Sequence, residues 1–159
     1  MTDHDESQFS LADVRRTAMD LLARREHSVL ELRRKLEKRD MPGELVEQAL
    51  LGLIEDGLLH EGRFAESFVS SRIRKGQGSL RIRADLSERG VSQALIEQAL
   101  AEAECDWFEL ASQVRIKRFG HDLPADFPQK AKQLRFLQYR GFTSEEIHFA
   151  VGDNQAPAG

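Results

Sequence analysis

The sequence is poor in cysteine, proline and aromatic residues, and it lacks a long apolar run. Its 159 residues include one cysteine, four prolines, one tryptophan and one tyrosine. The single cysteine, Cys105, excludes an internal disulfide and a thiolate zinc site. No stretch of about 18 apolar residues occurs, which excludes a transmembrane helix. The first ten residues lack the basic and apolar regions of a secretion signal, so we expect a cytoplasmic protein without a membrane partner.

β-branched residues are also scarce. Seven valines, six isoleucines and three threonines stand against 20 leucines and 16 alanines. Leucine and alanine favour helices, whereas β-branched residues favour strands. The composition therefore predicts an all-α fold.

The chain repeats itself at intervals of about 50 residues, which is typical of a helical array. The segment LVEQAL at Leu45–Leu50 recurs as LIEQAL at Leu95–Leu100. A fainter third copy follows at a further offset of 51, which carries Gly90 onto Gly141. Within each copy, apolar residues at helical spacing indicate three helices. We therefore predict three tandem three-helix repeats that form an elongated, curved array.

Helix-terminal signals indicate where the helices begin and end. A residue with a side-chain oxygen, followed three positions later by an acid, is typical of a capped helix start. Four such pairs occur: Ser10 with Asp13, Ser28 with Glu31, Asp106 with Glu109, and Thr143 with Glu146. Three residues that tolerate a left-handed turn follow the middle helices: Asp40, Gly90 and Gly141.

From these signals we place the three repeats at 10–57, 58–104 and 105–152. A disordered acidic tail at 1–9 precedes them, and a disordered tail at 153–159 follows. The residues expected in the core are Leu21, Leu36, Val46, Leu50, Phe64, Phe68, Leu86, Ile96, Leu100, Leu110, Leu137, Ile147 and Val151.

Motifs of catalysis are weak. The sequence has no phosphate-binding loop, no nucleophile elbow and no paired-histidine zinc motif. Gly76–Gly78 is a fragment of a dinucleotide fingerprint without its third glycine, and we interpret it as a turn. The five histidines share no ligand spacing and are interpreted as surface or loop residues, and Cys105 as a spectator thiol. We expect no enzyme, no cofactor and no metal.

Basic residues cluster at the same place in each repeat. The net charge is −4, yet basic residues outnumber acidic ones by nine to four over Arg15–Arg39, by seven to three over Arg63–Gly90 and by seven to two over Arg115–Arg140. Five acids without a base lie in Glu44–Glu61, and five more in Glu97–Glu109. One such cluster is typical of a solvated helix face, but three in register predict a basic stripe that follows a phosphate backbone or lies in an acidic groove.

The residues expected to contact the partner through this stripe are Arg24, Arg25, Arg34, Arg72, Arg74, Lys75, Arg81, Arg83, Arg115, Lys117, Arg118, Lys130 and Lys132. Arg140 is predicted instead to stabilise a helix C-terminus, because it shares its repeat position with Arg39 and Arg89. The acidic net charge argues against indiscriminate coating of nucleic acid. It favours a partner that is itself a nucleoprotein.

Several segments resemble the bacterial RecX family. They are REHS at 25–28, DGLL at 56–59, RFA at 63–65, GQG at 76–78 and RGF at 140–142. The RFA and RGF segments, in that order, are the most specific, and the resemblance covers nearly the whole chain.

This resemblance implies a regulatory protein rather than an enzyme. Such a protein binds the RecA recombinase and the RecA–DNA filament and limits the recombinase, ATP-hydrolysis and coprotease activities, so that it modulates recombination and the response to DNA damage. We also expect weak binding to single- or double-stranded DNA, and a monomer. Two ways of acting stay open, which are lying in the filament groove and blocking an end.

Two other classes of function also stay open. A stand-alone DNA-binding module of the helix-turn-helix kind also pairs short helices, although the middle helix of each repeat here has little Asn or Gln for reading bases. A protein-only helical scaffold would leave the basic helices merely solvated.

Overall fold

A computed structural model describes residues 8–153, and in this range the chain is all-helical and forms nine helices without a strand. The helices are α1 (Leu11–Arg24), α2 (Val29–Glu37), α3 (Gly43–Glu55), α4 (Glu61–Arg74), α5 (Ser79–Glu88), α6 (Gln93–Glu102), α7 (Trp107–Phe119), α8 (Phe127–Arg140) and α9 (Ser144–Ala150). The predicted all-α fold of three successive three-helix repeats is confirmed. No helix of the described range is long and apolar enough to cross a bilayer.

The predicted caps begin the helices. Ser10, Ser28 and Thr143 each accept a hydrogen bond from the third backbone N–H of the helix, and the acid at that position accepts one from the backbone N–H of the cap. Asp106 accepts from the N–H of Glu109. These bonds satisfy N–H groups that a helix start otherwise leaves without a partner.

The predicted left-handed turns are present as well, with φ of 61° at Asp40, 81° at Gly90 and 97° at Gly141. The second helix of the third repeat, α8, begins at Phe127. Asp126 caps this helix, and a proline fits its first turn.

Each repeat has its own core. The buried apolar residues form three separate clusters, one for each repeat, and the first and third helices of each repeat make the most extensive contact. Of the thirteen predicted core residues, eleven are buried. Phe68 and Leu110 are only half-buried. The guanidinium groups of Arg72 and Arg89 lie over the ring of Phe68, and Leu110 lines a cleft between repeats.

The ordered part of the chain reaches into both predicted tails. Phe9 packs against the core of the first repeat. At the other end, Asp153 accepts hydrogen bonds from Lys130 and His148. Residues 1–7 and 154–159 lie outside the described residues, so the disorder assigned to them stays a prediction.

The second and third repeats are joined through their backbones. The N–H of Gly78 donates to the carbonyl of Arg140 at 2.8 Å, and the N–H of Leu80 donates to the carbonyl of Gly141 at 3.0 Å. The start of α5 therefore meets the end of α8, and each satisfies groups that the other leaves unpaired. We call Gly78, Leu80, Arg140 and Gly141 the glycine junction. A Cβ atom on Gly78 would overlap the carbonyl group of Gly141, so this approach requires glycine.

The first and second repeats are joined through side chains. Arg63 pairs with Glu26 at 3.1 Å, and Arg89 pairs with Glu31 at 3.5 Å. The N–H of Val29 also donates to the carboxylate of Glu61 at 3.4 Å. This junction is ionic, and dissolved salt screens exposed ion pairs.

At the glycine junction, Gly78→Ala should lower the free energy of unfolding by about 1–3 kcal/mol, because the added Cβ atom would be forced into a packed backbone contact. The measurement is thermal unfolding, together with hydrogen exchange at the amide of Leu80, which should accelerate. Gly43→Ala is the matched control, because a Cβ there meets nothing within 4 Å and alanine favours the helix. Equal melting of Gly78→Ala and wild type would show that the junction contributes nothing.

Candidate nucleic-acid interface

The first helix of each repeat ends in basic residues. Arg24 lies in the last turn of α1, Arg72 and Arg74 in that of α4, and Lys117 and Arg118 in that of α7. The backbone carbonyls at a helix C-terminus carry partial negative charge, which stabilises cations there. The basic stripe predicted from the sequence therefore has a local physical cause.

Among the described residues, two clefts that contain several cations lie between the repeats, and Arg74 and Lys75 line both of them. The cleft between the first and second repeats, called the first cleft, has a volume of about 380 Å³. The cleft between the second and third repeats, called the second cleft, has a volume of about 470 Å³. The end of α4 thus forms a basic ridge that connects the two clefts.

The lining of the second cleft contains cationic side chains and no carboxylate of the described residues to neutralise them. Five cationic side chains line it, which are Arg74, Lys75, Lys117, Arg118 and Arg140. The apolar part of its wall comes from Ile73, Leu110, Val114 and Phe136. None of the five cations forms an ion pair within residues 8–153.

Phe136 orients two of these cations. The guanidinium of Arg140 lies 5.1 Å from the centre of its ring, and that of Arg118 lies 5.7 Å from it. Attraction between a guanidinium and an aromatic ring favours such contacts. Sequence reasoning missed Phe136, although the arginine four positions later on the same helix marks a contact of this kind.

Arg140 contacts the C-terminus of α4 rather than that of its own helix, α8. Its guanidinium donates to the carbonyl of Lys75 at 2.9 Å, and Lys75 is the C-terminal cap of α4. Arg89, in the equivalent position of the second repeat, donates to the carbonyl of Asp85 in its own helix at 2.9 Å. The glycine junction explains the difference, because it brings the end of α8 against the second repeat.

The first cleft has mixed charge. Arg25 and Arg89 both pair with Glu31, at 3.2 and 3.5 Å, and Glu26 also lines the cleft. Phe68 carries the guanidinium groups of Arg72 and Arg89, at 4.3 and 4.9 Å from the centre of its ring. Arg72 also pairs with Asp85 at 2.7 Å. Most cations of this cleft are therefore neutralised by neighbouring acids.

The other predicted contact residues do not line either cleft. Arg83 pairs with Glu97 at 2.8 Å, and Lys130 pairs with Asp153 at 2.5 Å. Arg81 lies over the ring of Tyr139 at 5.1 Å, beside the glycine junction. Three more are exposed on the surface, namely Arg24, Arg34 and Lys132.

The prediction that Arg115 contacts the partner is wrong, because this side chain is only 3% exposed. Its guanidinium donates to the carbonyls of Gly120, His121 and Asp122 at 3.1–3.3 Å. Ala111, one turn earlier, is also buried, so Arg115 lies on the inner face of α7. It stabilises the loop between α7 and α8.

His27 is a loop residue, as interpreted from the sequence, but it is buried: it lies between α1 and α2 and is only 1% exposed. Its Nδ1 lies 3.0 Å from the carbonyl of Arg25, and its Nε2 lies 2.8 Å from the ammonium of Lys35. Neutral imidazole fits both contacts, because Nδ1–H donates to the carbonyl and Nε2 accepts from Lys35. Burial lowers the pKa of His27, and the neighbouring cations Arg25 and Lys35 lower it further.

Cys105 has no activated thiol. The residue is partly exposed, and burial raises its pKa, with a further contribution from Asp106. Among the described residues no group of three His, Cys, Asp or Glu is placed to hold a metal ion.

The fold and the clefts define an all-helical repeat protein with a basic surface between its repeats. Family models of RecX match all three repeats, with the first three-helix domain at residues 15–51, the second at 61–100 and the third at 104–151. The chain belongs to the RecX family.

Relatives from several bacteria carry the name regulatory protein RecX. One from Pseudomonas savastanoi is 52% identical over 134 residues, which are 84% of this chain and 86% of the relative. Another, from Pseudomonas fluorescens, is 51% identical over 138 residues, 87% of this chain and 89% of the relative. A third, from Halorhodospira halophila, is 45% identical over 151 residues, 92% and 94% of the two chains. The chain therefore has a regulatory role of the RecX kind.

Solved structures share the fold. A crystal structure of RecX from Lactobacillus salivarius superimposes with a TM-score of 0.73 at 21% identity, over 89% of this chain and 94% of the other. A crystal structure of a regulatory protein RecX gives a TM-score of 0.72 at 25% identity, over 91% of this chain and 74% of the other.

The buried His27 predicts a pH dependence of stability. The unfolded chain binds a proton on this imidazole near its ordinary pKa of 6.5, whereas the folded protein binds it only at lower pH. Stability should therefore fall as the pH falls below 6.5, by up to about 1.4 kcal/mol per pH unit, until folded His27 is itself protonated. Urea unfolding between pH 7.5 and 5 measures this. His27→Gln should flatten the dependence, while His121→Gln, at an exposed position, should keep it.

Arg140→Ala should lower the melting temperature, because it removes the hydrogen bond to Lys75 and the contact with Phe136. A loss of about 1 kcal/mol corresponds to a shift of about 2–4 °C for a chain of this size. Arg135→Ala, which removes an exposed arginine from the same helix, should melt like wild type. If both variants melt alike, Arg140 has no stabilising role.

Proposed function

We propose that this protein binds the RecA recombinase and its DNA filament and limits the recombinase, ATP-hydrolysis and coprotease activities. The observation that carries the proposal is the basic end of α4, where Arg74 and Lys75 line both the mixed first cleft and the cationic second cleft. Membership of the RecX family supports the same regulatory role. The protein acts as a cytoplasmic monomer, by binding and without catalysis or a cofactor.

The array suits a partner that is itself long and repetitive. Each repeat has its own core, so successive repeats present separate binding surfaces along the array. Contacts that are weak one by one add up when several repeats bind the same filament. A protein that holds neighbouring recombinase subunits in one arrangement opposes any step that requires them to move.

The different charges of the two clefts support a nucleoprotein partner. The first cleft presents both signs of charge, as a protein surface requires, whereas the second cleft presents cations only. The net charge of −4 opposes indiscriminate coating of nucleic acid.

The two alternatives have less support. Arg33 and Arg83, on the middle helices of the first two repeats, pair with Glu47 and Glu97 at 2.8 Å, so these two arginines are not free to enter a DNA groove. A protein-only scaffold gives no reason for a cleft lined by five cations. Neither alternative accounts for both clefts.

Removing charge from two sets of exposed residues predicted to contact the partner tests the proposal, one set in the first repeat and one lining the second cleft. One variant replaces Arg24, Arg25 and Arg34 by Gln, and the other replaces Arg74, Lys75 and Lys117 by Gln. Each should weaken inhibition of recombinase ATP hydrolysis by about tenfold, because exposed charge contacts contribute up to about 1 kcal/mol each and 1.4 kcal/mol is a factor of ten. Combining both sets should weaken inhibition much further.

The control is Lys38→Gln with Arg39→Gln, an exposed basic pair outside both clefts. It should inhibit ATP hydrolysis like wild type, and all variants should keep their helicity by circular dichroism. Full inhibition by the combined variant would exclude an electrostatic mechanism.

A further inference from the structure

The two clefts differ in the charge of their linings, which suits them to different partners. Glu26 and Glu31 line the first cleft among its arginines, whereas carboxylates of the described residues are absent from the lining of the second. A phosphodiester chain carries negative charge only, so a carboxylate in its binding site is repulsive. A protein surface carries both signs and can pair with both arginines and glutamates.

We infer that the second cleft binds the phosphodiester backbone of single-stranded DNA, through Arg74, Lys75, Lys117 and Arg118. This rests on the proposed function in so far as DNA is part of the filament that the protein binds. The mixed first cleft is then left for the protein component.

The charge of the second cleft is available to a ligand. All four side chains are exposed, and none pairs with an acid within the part of the chain that the structure describes. Arg74 makes one hydrogen bond, to the hydroxyl of Ser70 at 2.9 Å, which leaves most of its donors unused. Like charges held close together repel one another, and a polyanion relieves that repulsion.

The cleft is also held in shape before a ligand arrives. The backbone bonds of the glycine junction fix the third repeat against the second, and the bond from Arg140 to Lys75 ties the cleft wall to the end of α4. The contact with Phe136 at 5.7 Å orients the guanidinium of Arg118, whose planar fork matches two phosphate oxygens. Preformed donors lose less entropy on binding than mobile ones.

The same contact indicates that the backbone, rather than the bases, is bound. The half-buried ring of Phe136 already carries the guanidinium groups of Arg118 and Arg140. A base that stacked on this ring would have to displace one of them. Binding at the second cleft should therefore be independent of base identity.

Fluorescence anisotropy with a short fluorescein-labelled oligothymidylate, titrated at several salt concentrations, tests the inference. Lys117→Gln with Arg118→Gln should weaken binding and lower the slope of log affinity against log salt by about 1.4, because each phosphate that a cation neutralises on a single strand contributes about 0.7 to that slope. The matched control is Lys38→Gln with Arg39→Gln, which removes a second Lys-Arg pair from the end of another helix, α2. It should keep both the slope and the affinity of wild type.

Three results would overturn the inference. The first is an unchanged slope and affinity for the cleft variant, and the second is an equal loss for the control. The third is failure of wild type to bind an abasic oligonucleotide of the same length, which would assign binding to the bases.

Inhibition of recombinase ATP hydrolysis, measured on the same variants, separates this inference from the proposed function. If the cleft variant binds oligothymidylate like wild type but inhibits poorly, the second cleft contacts the recombinase, so the inference is wrong and the proposed function holds. If wild type does not inhibit at all while the cleft variant shows the reduced salt slope, the proposed function is wrong and the inference holds.

Discussion

The backbone contact between Gly78 and Gly141 is the constraint on which the candidate site depends. It joins the start of α5 to the end of α8 by hydrogen bonds of 2.8 and 3.0 Å. Because these bonds involve the backbone, they need no particular side chain but require its absence at both Gly78 and Gly141, where a Cβ atom would overlap Gly141 and Arg81 respectively. They place the guanidinium of Arg140 within hydrogen-bond distance of the carbonyl of Lys75, the C-terminal cap of α4. The basic ends of α4 and α7 therefore line the same cleft.

Repeated ion pairs then decide which cations stay available. Arg33 pairs with Glu47, and the equivalent residues 50 positions later, Arg83 and Glu97, pair in the same way. In both repeats the acid of the third helix therefore neutralises an arginine of the second helix. Arg74, Lys117 and Arg118, which form no ion pair within the described residues, lie at the ends of first helices, where the helix carbonyls favour positive charge.

The two junctions differ in kind, and this difference matters for regulation. The junction of the first and second repeats is made by ion pairs such as Arg63 with Glu26, which also lines the first cleft. Salt or a competing charged partner acts on such pairs directly, whereas backbone hydrogen bonds between the second and third repeats are much less affected. The second and third repeats, joined through their backbones around a basic cleft, are linked to the first repeat through charges, which suits the proposed contact with DNA and protein together.

The sequence by itself determined the helices, their caps and the left-handed turns, because these depend on residues within a few positions of one another. It also determined the three repeats, because the same pattern recurs about every 50 residues. Tertiary structure alone decided which cations are free to bind. Arg115 is buried by carbonyls of its own loop, His27 is enclosed by Arg25 and Lys35, and Arg140 reaches a carbonyl 65 residues away. A count of charges along the chain identifies where cations are, but pairing and burial depend on groups that only the folded chain brings together.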